Sequence, residues 1–249
     1  MTDPFDLSGR TVLVTGATRG IGLAVAQGLT TRGARVIVTG RKADTVQAVA
    51  ATLPAGRGIV CHQGDPASID ALFAALDADG VALNAVVVNA ATNPVVGSLL
   101  DLDLAAWQKI VDVNLTGALL TARGAIRRML PRRRGAVVFM ASVAGLEPVP
   151  GLGAYSVSKA GLLGLMRALA REVGPAGVRV NALAPGLIET RFSAALFANP
   201  AAYQEIVART PLGRHGQPDD LVGAAVYLVA DASAYVTGQT LVIDGGGRV

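Results

Sequence analysis

Short apolar runs alternate with longer helix-like stretches from one end of the chain to the other, and this rhythm constrains the fold more than any other feature. The runs lie at 11–15, 35–39, 58–62, 85–88, 136–140, 178–183 and 240–243. Several are unbroken Val, Ile and Leu, the pattern of parallel strands buried on both faces. Between them the spacing predicts helices over 20–32, 43–52, 69–77, 104–130, 154–173 and 219–229. Parallel strands need long crossovers, and helices supply them. The alternation therefore predicts an α/β chain with a seven-stranded, parallel, doubly wound sheet. No Pro/Gly/Ser linker and no internal repeat interrupts it, so 1–249 reads as a single domain.

Composition narrows the function classes. Charged residues make up only 16% against 51% hydrophobic, which argues against disorder. The net charge of +4 has one dense source, the basic stretch 127–134. That stretch lacks the interleaved aromatics on which bases stack, and no groove-reading element accompanies it, so nucleic acid is not an expected partner. It reads as a solvated helix end whose cations complement the helix dipole. A docking patch for an anionic ligand or carrier protein is the sharper alternative. Cys61 is the single cysteine, and His62 and His215 lie far apart, so no metal site is expected. No run reaches the roughly eighteen apolar residues of a membrane span. Residues 1–10 lack the pattern of a secretory leader. A soluble, cytoplasmic protein is the expectation.

The first predicted strand runs into Thr15-Gly16-Ala17-Thr18-Arg19-Gly20-Ile21-Gly22, where the first helix opens. Glycines permit positive φ and close backbone approach, and a helix N-terminus offers amide donors to a pyrophosphate. Gly16, Thr18, Arg19, Gly20, Ile21 and Gly22 are therefore candidates for holding a dinucleotide. About 20 residues beyond such a turn, an NAD site places Asp or Glu on the ribose hydroxyls. Here that place holds Thr39, Gly40 and Arg41. Arg19 and Arg41 suit a 2′-phosphate, through charge-assisted hydrogen bonds, and so predict NADPH. Asp65, after the third strand, either meets the adenine amino group or caps a helix.

Tyr155 and Lys159 stand four apart on a predicted helix and so share one face. A nearby cation favours the phenolate and lowers a tyrosine pKa from about 10, giving an acid/base group usable near neutral pH. Ser142 lies thirteen residues before Tyr155. The segment 187–218 follows a strand end and is irregular and apolar, with Phe192, Leu196, Phe197, Tyr203 and Ile206. Ligands of open α/β sheets bind at strand ends, and long loops there are often lids. The segment reads as a substrate lid, or else as small helices capping the core or an oligomer contact.

Together the glycine turn, Asn89-Ala90-Ala91, Asn114, Ser142, Tyr155, Lys159, Pro185-Gly186 with Ile188 and Thr190, and Asp244-Gly245-Gly246 resemble the classical short-chain dehydrogenase/reductase family. The resemblance covers nearly the whole chain and implies a single Rossmann-type domain. It implies that Tyr155 donates a proton to a carbonyl oxygen, that Ser142 polarises that oxygen, and that Lys159 binds the nicotinamide ribose and lowers the Tyr155 pKa. Asn114 resembles the residue that holds a water linking Lys159 to solvent. Asn89, Ala90, Pro185, Gly186, Ile188 and Thr190 would extend the cofactor site, the last two around the nicotinamide carboxamide. Val143, Leu152, Phe192, Leu196 and Phe197 suggest an apolar substrate pocket.

Two branches look nearest: NADPH-dependent carbonyl reductases and 3-oxoacyl-[acyl-carrier-protein] reductases. In the latter, Arg133 and Arg171 would dock an acyl carrier protein. The segment 235–246 resembles members that form homotetramers. The expected activity is NADPH-dependent reduction of a ketone, of carbonyl or 3-oxoacyl type, to a secondary alcohol, the substrate being a small-molecule ketone or an acyl thioester that carries one. An NAD-linked alcohol or hydroxyacyl dehydrogenase working oxidatively, or a non-catalytic dinucleotide sensor, are the alternatives.

Overall fold

The computed structural model describes residues 3–197 and 200–248, apart from the side chains of Ala195, Leu196 and Ala202. The strands are β1 (Thr11–Val14), β2 (Arg35–Gly40), β3 (Arg57–Val60), β4 (Leu83–Val88), β5 (Gly135–Met140), β6 (Val178–Pro185) and β7 (Thr240–Ile243). All neighbours pair in parallel, in the order β3-β2-β1-β4-β5-β6-β7. The order reverses direction between β1 and β4, and ligands of such sheets bind in the crevice beyond the strand ends at that reversal.

Strand residues alternate between two cores. Leu13, Ile37, Val86, Val137 and Phe139 face α3 (Pro66–Ala78), α5 (Gly117–Met129) and α6 (Gly153–Val173). Val12, Val14, Val36, Val38 and Val138 face α1 (Gly20–Thr30), α2 (Ala43–Thr52) and α9 (Val222–Val229). Both faces are thus covered, which is why the strands read as unbroken apolar runs. Each fully buried Val, Leu or Phe contributes roughly 1.5–3 kcal/mol of transfer free energy.

Two expected boundaries move for local reasons. The helix expected from 69 starts at Pro66, because Asp65 accepts a hydrogen bond from the Ala67 amide (3.0 Å) and proline suits the first helical position. The helix expected over 104–130 runs on without a break, but an internal boundary divides it: α4 (Leu104–Val111) passes through a wide π-helical turn, Asp112–Thr116, into α5. There the Gly117 amide reaches back to Asp112 O. Gly117 itself lies against strand-exit residue Gln63, whose carbonyl oxygen would stand 1.8 Å from any Cβ added there. Such turns recur at functional sites, and this one carries Asn114.

Of the basic stretch, Arg127, Arg132, Arg133 and Arg134 are exposed, as a solvated helix end would be, and several also bind neighbouring elements. Arg128 lies over the Phe73 ring (4.5 Å to its centroid), pairs with Asp77 and donates to Gly124 O. Arg132 donates to Leu83 O, Arg133 to Pro175 O (2.7 Å), and Arg134 pairs with Asp231. These arginines stitch helix ends to strand starts. Among the described residues, no helix is long and apolar enough to cross a membrane, and no group of three His, Cys, Asp or Glu could hold a metal.

Candidate active site

The glycine turn is shaped by close approach. Gly16 and Gly20 have φ of +63° and +54°, where a side chain is strained. A Cβ on Gly22 would stand 2.4 Å from Asn89 Nδ2, and one on Gly16 would stand 2.8 Å from Ala90 Cα. The Asn89 amide earns that proximity by donating to Thr15 O (2.9 Å) and Gly16 O (3.1 Å). Thr15 Oγ1 accepts from the Asn89 and Ala90 backbone N–H groups (3.0 and 3.1 Å). The turn after β1 and the segment after β4 therefore form one bonded unit at the crevice. The bare backbone of this turn, opening on the α1 N-terminus, fits a pyrophosphate.

The end of β2 has no room for a carboxylate. Any Cβ on Gly40 would meet Thr18 Cγ2 at 2.6 Å and Val46 Cγ2 at 3.0 Å, while Thr39 is buried. Arg19 and Arg41 are both exposed beside it. Asp65 is exposed, and one of its carboxylate oxygens caps α3. Beyond β6, Gly186 packs on Asp244, whose carboxylate accepts from the Gly246 amide (2.9 Å). That contact explains the local need for the Asp244-Gly245-Gly246 turn.

The reaction centre lies on β5 and α6. Ser142 sits just past β5, and its hydroxyl accepts from the Ala144 amide (3.1 Å), fixing the turn. Tyr155 and Lys159 lie one turn apart in α6, 9% and 2% exposed. Lys159 Nζ donates to Met140 O (2.7 Å) and stands 5.5 Å from the centroid of the Tyr155 ring. Burial pushes the Tyr155 phenol up to about 12, against the opposing pull of its hydrogen bond with Ser142. Burial pulls the Lys159 ammonium down to about 7. In both residues removal from water disfavours the charged form.

Asn114 is buried, and its side chain is fully engaged. It accepts from Thr92 N (2.8 Å) and donates to Thr92 O (2.9 Å) and to Ser158 Oγ (3.0 Å). Ser158 donates in turn to Tyr155 O (2.7 Å). Both amide hydrogens of Asn114 are therefore committed to protein, and what the side chain visibly does is clamp the segment after β4 to α6.

Of the expected pocket residues, Phe192 meets Tyr155 directly, with ring centroids 5.5 Å apart, and it is 53% exposed. Val143 and Leu152 are half-buried near Ser142 and Tyr155 in the chain. Phe197 belongs elsewhere: it packs on Tyr203 (5.4 Å) and edge-on to His215 (5.0 Å), inside the lid's own small core. The Leu196 side chain lies outside the described residues. Ile188 is buried and pairs with Gly216, and Thr190 approaches Gly20, whose added Cβ would stand 3.3 Å from Thr190 Cγ2. The segment that follows β6 thereby touches the glycine turn.

A family model described as enoyl-(acyl carrier protein) reductase matches residues 16–247. The chain belongs to the short-chain dehydrogenase/reductase family. It is 39% identical to rabbit (Oryctolagus cuniculus) dehydrogenase/reductase SDR family member 4, over 96% of this chain and 94% of the relative. It is 36% identical to the 3-oxoacyl-[acyl-carrier-protein] reductase FabG of Escherichia coli K12, over 97% and 98%. A crystal structure of a gluconate 5-dehydrogenase from Burkholderia cenocepacia, in complex with NADP and tartrate, superposes with a TM-score of 0.94 at 32% identity, covering 98% of this chain and 97% of that one. The protein is accordingly an oxidoreductase of this family, with its Rossmann-like fold.

In this short-chain dehydrogenase/reductase, several supporting residues carried no signal of their own in the sequence. Thr15, Thr92 and Ser158 each join two elements of the site through a short hydroxyl or a backbone group. Gln63, buried, donates to Ala90 O (2.9 Å) and Val113 O (3.2 Å). Only Ser158 was findable, since it lies three residues after Tyr155 and so on nearly the same face of α6.

Proposed function

We propose that the chain is an NADPH-dependent ketone reductase in which Tyr155 is the general acid. The observation that carries this reading is the geometry at Tyr155: a buried phenol facing Ser142, with Lys159 one turn away on the same helix. A protonated phenol is the form that gives a proton to a carbonyl oxygen, whereas alcohol oxidation needs the phenolate. When bound, NADPH supplies the hydride. Ser142 hydrogen-bonds the carbonyl oxygen and holds it beside the phenol. Lys159 offers N–H groups to the nicotinamide ribose, and Ile188 and Thr190 bind the carboxamide. Asn114 acts through Thr92 and Ser158 as a positioning residue.

Preference for the 2′-phosphate is supported by the crowding at Gly40, which excludes a carboxylate, and by the exposed Arg19 and Arg41. A bound NADP in the Burkholderia gluconate 5-dehydrogenase agrees with it. Phe192 over Tyr155, with exposed Val96 and Leu99 beside Gly151 and Gly153 at the start of α6, supports an apolar ketone. Arg133 spends its guanidinium on Pro175 O, which favours a small ketone over a docked carrier protein. The fully exposed Tyr235 and the half-exposed Val242 on β7 support assembly into the expected homotetramer.

The test follows NADPH oxidation with a bulky aromatic ketone beside an acetoacetyl thioester. Good ketone and poor thioester turnover is the expected result. Fast thioester reduction would move the protein to the acyl branch and return Arg133 and Arg171 to a docking role. Turnover with NADH exceeding that with NADPH would overturn the cofactor assignment.

A further inference from the structure

The segment leaving β6 carries Ile188 and Thr190, and Glu189 stands between them. It pairs with the chain at Gly216: Gly216 N donates to Leu187 O (2.9 Å) and Glu189 N to Gly216 O (2.8 Å). In a paired, extended segment, neighbouring side chains point to opposite faces. Glu189 therefore turns away from the side on which Ile188 and Thr190 act, and its carboxylate faces the rest of the lid. It accepts from Gln217 Nε2 (2.7 Å) and lies 3.1 Å from His215 Nε2. The other ring nitrogen, Nδ1, lies 2.8 Å from Tyr203 Oη, on α8 (Pro200–Ala208). Phe197 closes over the imidazole edge-on at 5.0 Å. One imidazole thus joins the strand exit, the 214–217 turn and α8.

The hydrogen-bond logic holds in either charge state. A neutral ring donates Nε2–H to Glu189 and accepts at Nδ1 from the Tyr203 hydroxyl; a protonated ring donates at both. The charged groups facing it are Glu189 and the Arg214–Asp220 pair. Arg214 donates to His215 O (3.0 Å) and grips both Asp220 oxygens (2.6 and 2.9 Å). Asp220 also accepts from Gln217 N (2.7 Å), so the turn that presents His215 is itself braced. Hydrogen bonds from Gln217 and His215 hold the Glu189 carboxyl below its ordinary range.

We propose that His215 is a positioning residue that, through Glu189 and Tyr203, couples closure of the lid to the placement of the Ile188–Thr190 segment against the nicotinamide. The proposal rests on the functional reading above. In its absence α8 and the strand exit would still fold, but they would move independently. Substrate binding under the lid would then no longer set the carboxamide site, and dinucleotide binding would no longer help close the lid. Coupling of this kind is reciprocal.

The test compares His215→Phe, which keeps the aromatic packing but loses both polar links, with His215→Gln, which can restore a donor toward Glu189. His215→Phe is expected to raise the ketone KM about 10-fold and the NADPH Kd about 3-fold, with kcat changed less than about 3-fold. Its Tm should match the parent, trypsin should cut faster at Arg209 in the NADPH complex, and His215→Gln should recover part of the KM. Adding Glu189→Gln to His215→Phe should cost nothing further, because the link is already broken. Parent-like KM and Kd in His215→Phe would overturn the proposal, as would a uniform loss of Tm and kcat without the KM shift. If the wild type reduces no ketone, the functional reading fails. NADPH Kd and trypsin cleavage then still decide the coupling, for or against.

Discussion

Tyr155 and Phe192 face each other across the crevice at 5.5 Å between ring centroids, yet they stand on unlike ground. Behind Tyr155 lies a wall of buried polar bonds: Lys159 to Met140, Ser158 to the Tyr155 carbonyl, Asn114 to Ser158 and to both backbone groups of Thr92. Behind Phe192 lies the lid, half exposed, whose order comes from an aromatic trio and surface pairs such as Glu189–His215 and Arg214–Asp220. Buried networks are costly to disturb and hold geometry well. Exposed pairs add little stability, and segments held by them open most easily. Tyr155 thus sits where the fold is hardest to move, and Phe192 where it is easiest.

Breaking the stiff wall should cost most. Asn114→Leu leaves the half-buried Thr92 N–H and C=O without their protein partners, and unpaired groups there are costly. A loss of about 2–3 kcal/mol in denaturant unfolding is expected, together with reduced kcat. A parent-like unfolding curve would show that the clamp is dispensable.

Lys159 gives the same wall a pH signature. Its folded pKa is about 7 against an ordinary 10.5, so between those values the unfolded chain binds the extra proton. Stability rises with pH wherever the unfolded state binds more protons. Thermal stability should therefore climb as pH rises from about 7 toward 10. Tyr155, raised from 10 to about 12, acts oppositely, lowering stability as pH rises through that higher window. Lys159→Met should abolish turnover, raise Tm near pH 7 and flatten the climb. An unchanged pH profile of Tm in Lys159→Met would place the titration elsewhere.

Smaller effects are expected at the edge of the crevice. Arg41→Ala should raise the NADPH KM by about 10-fold through loss of a charge-assisted contact, and leave the NADH KM alone. Equal changes for both cofactors would remove Arg41 from the 2′-phosphate site. Phe192→Ala should raise the ketone KM by only about 3–5-fold, in line with the loss of one partly exposed aromatic contact. Its Tm should stay within about 1 °C of the parent; a large drop in Tm would mean that the lid is part of the core after all.

The same contrast explains what the sequence disclosed. Buried apolar runs and obligatory crossovers made the seven-stranded parallel sheet readable from residues such as 36–38 and 85–88, while its strand order came only with the structure. The glycine turn was readable because Gly16, Gly20 and Gly22 answer to backbone geometry. The π-helical turn at Asp112–Thr116 was not, since no local propensity encodes it. The partners of Arg128, Arg132 and Arg133 were not readable either, because they lie 42 to 55 residues away. Helical spacing gives Lys159 as the neighbour of Tyr155 but not the burial of both.

The most direct test of the account is a paired measurement on Tyr155→Phe: NADPH binding by nicotinamide fluorescence, and ketone reduction at saturating NADPH. A kcat lower by about 10²–10⁴-fold with an unchanged NADPH Kd is the predicted result, since only the proton donor is lost. Turnover close to the parent's, with NADPH still bound, would contradict Tyr155 as the acid and with it the proposed reaction centre.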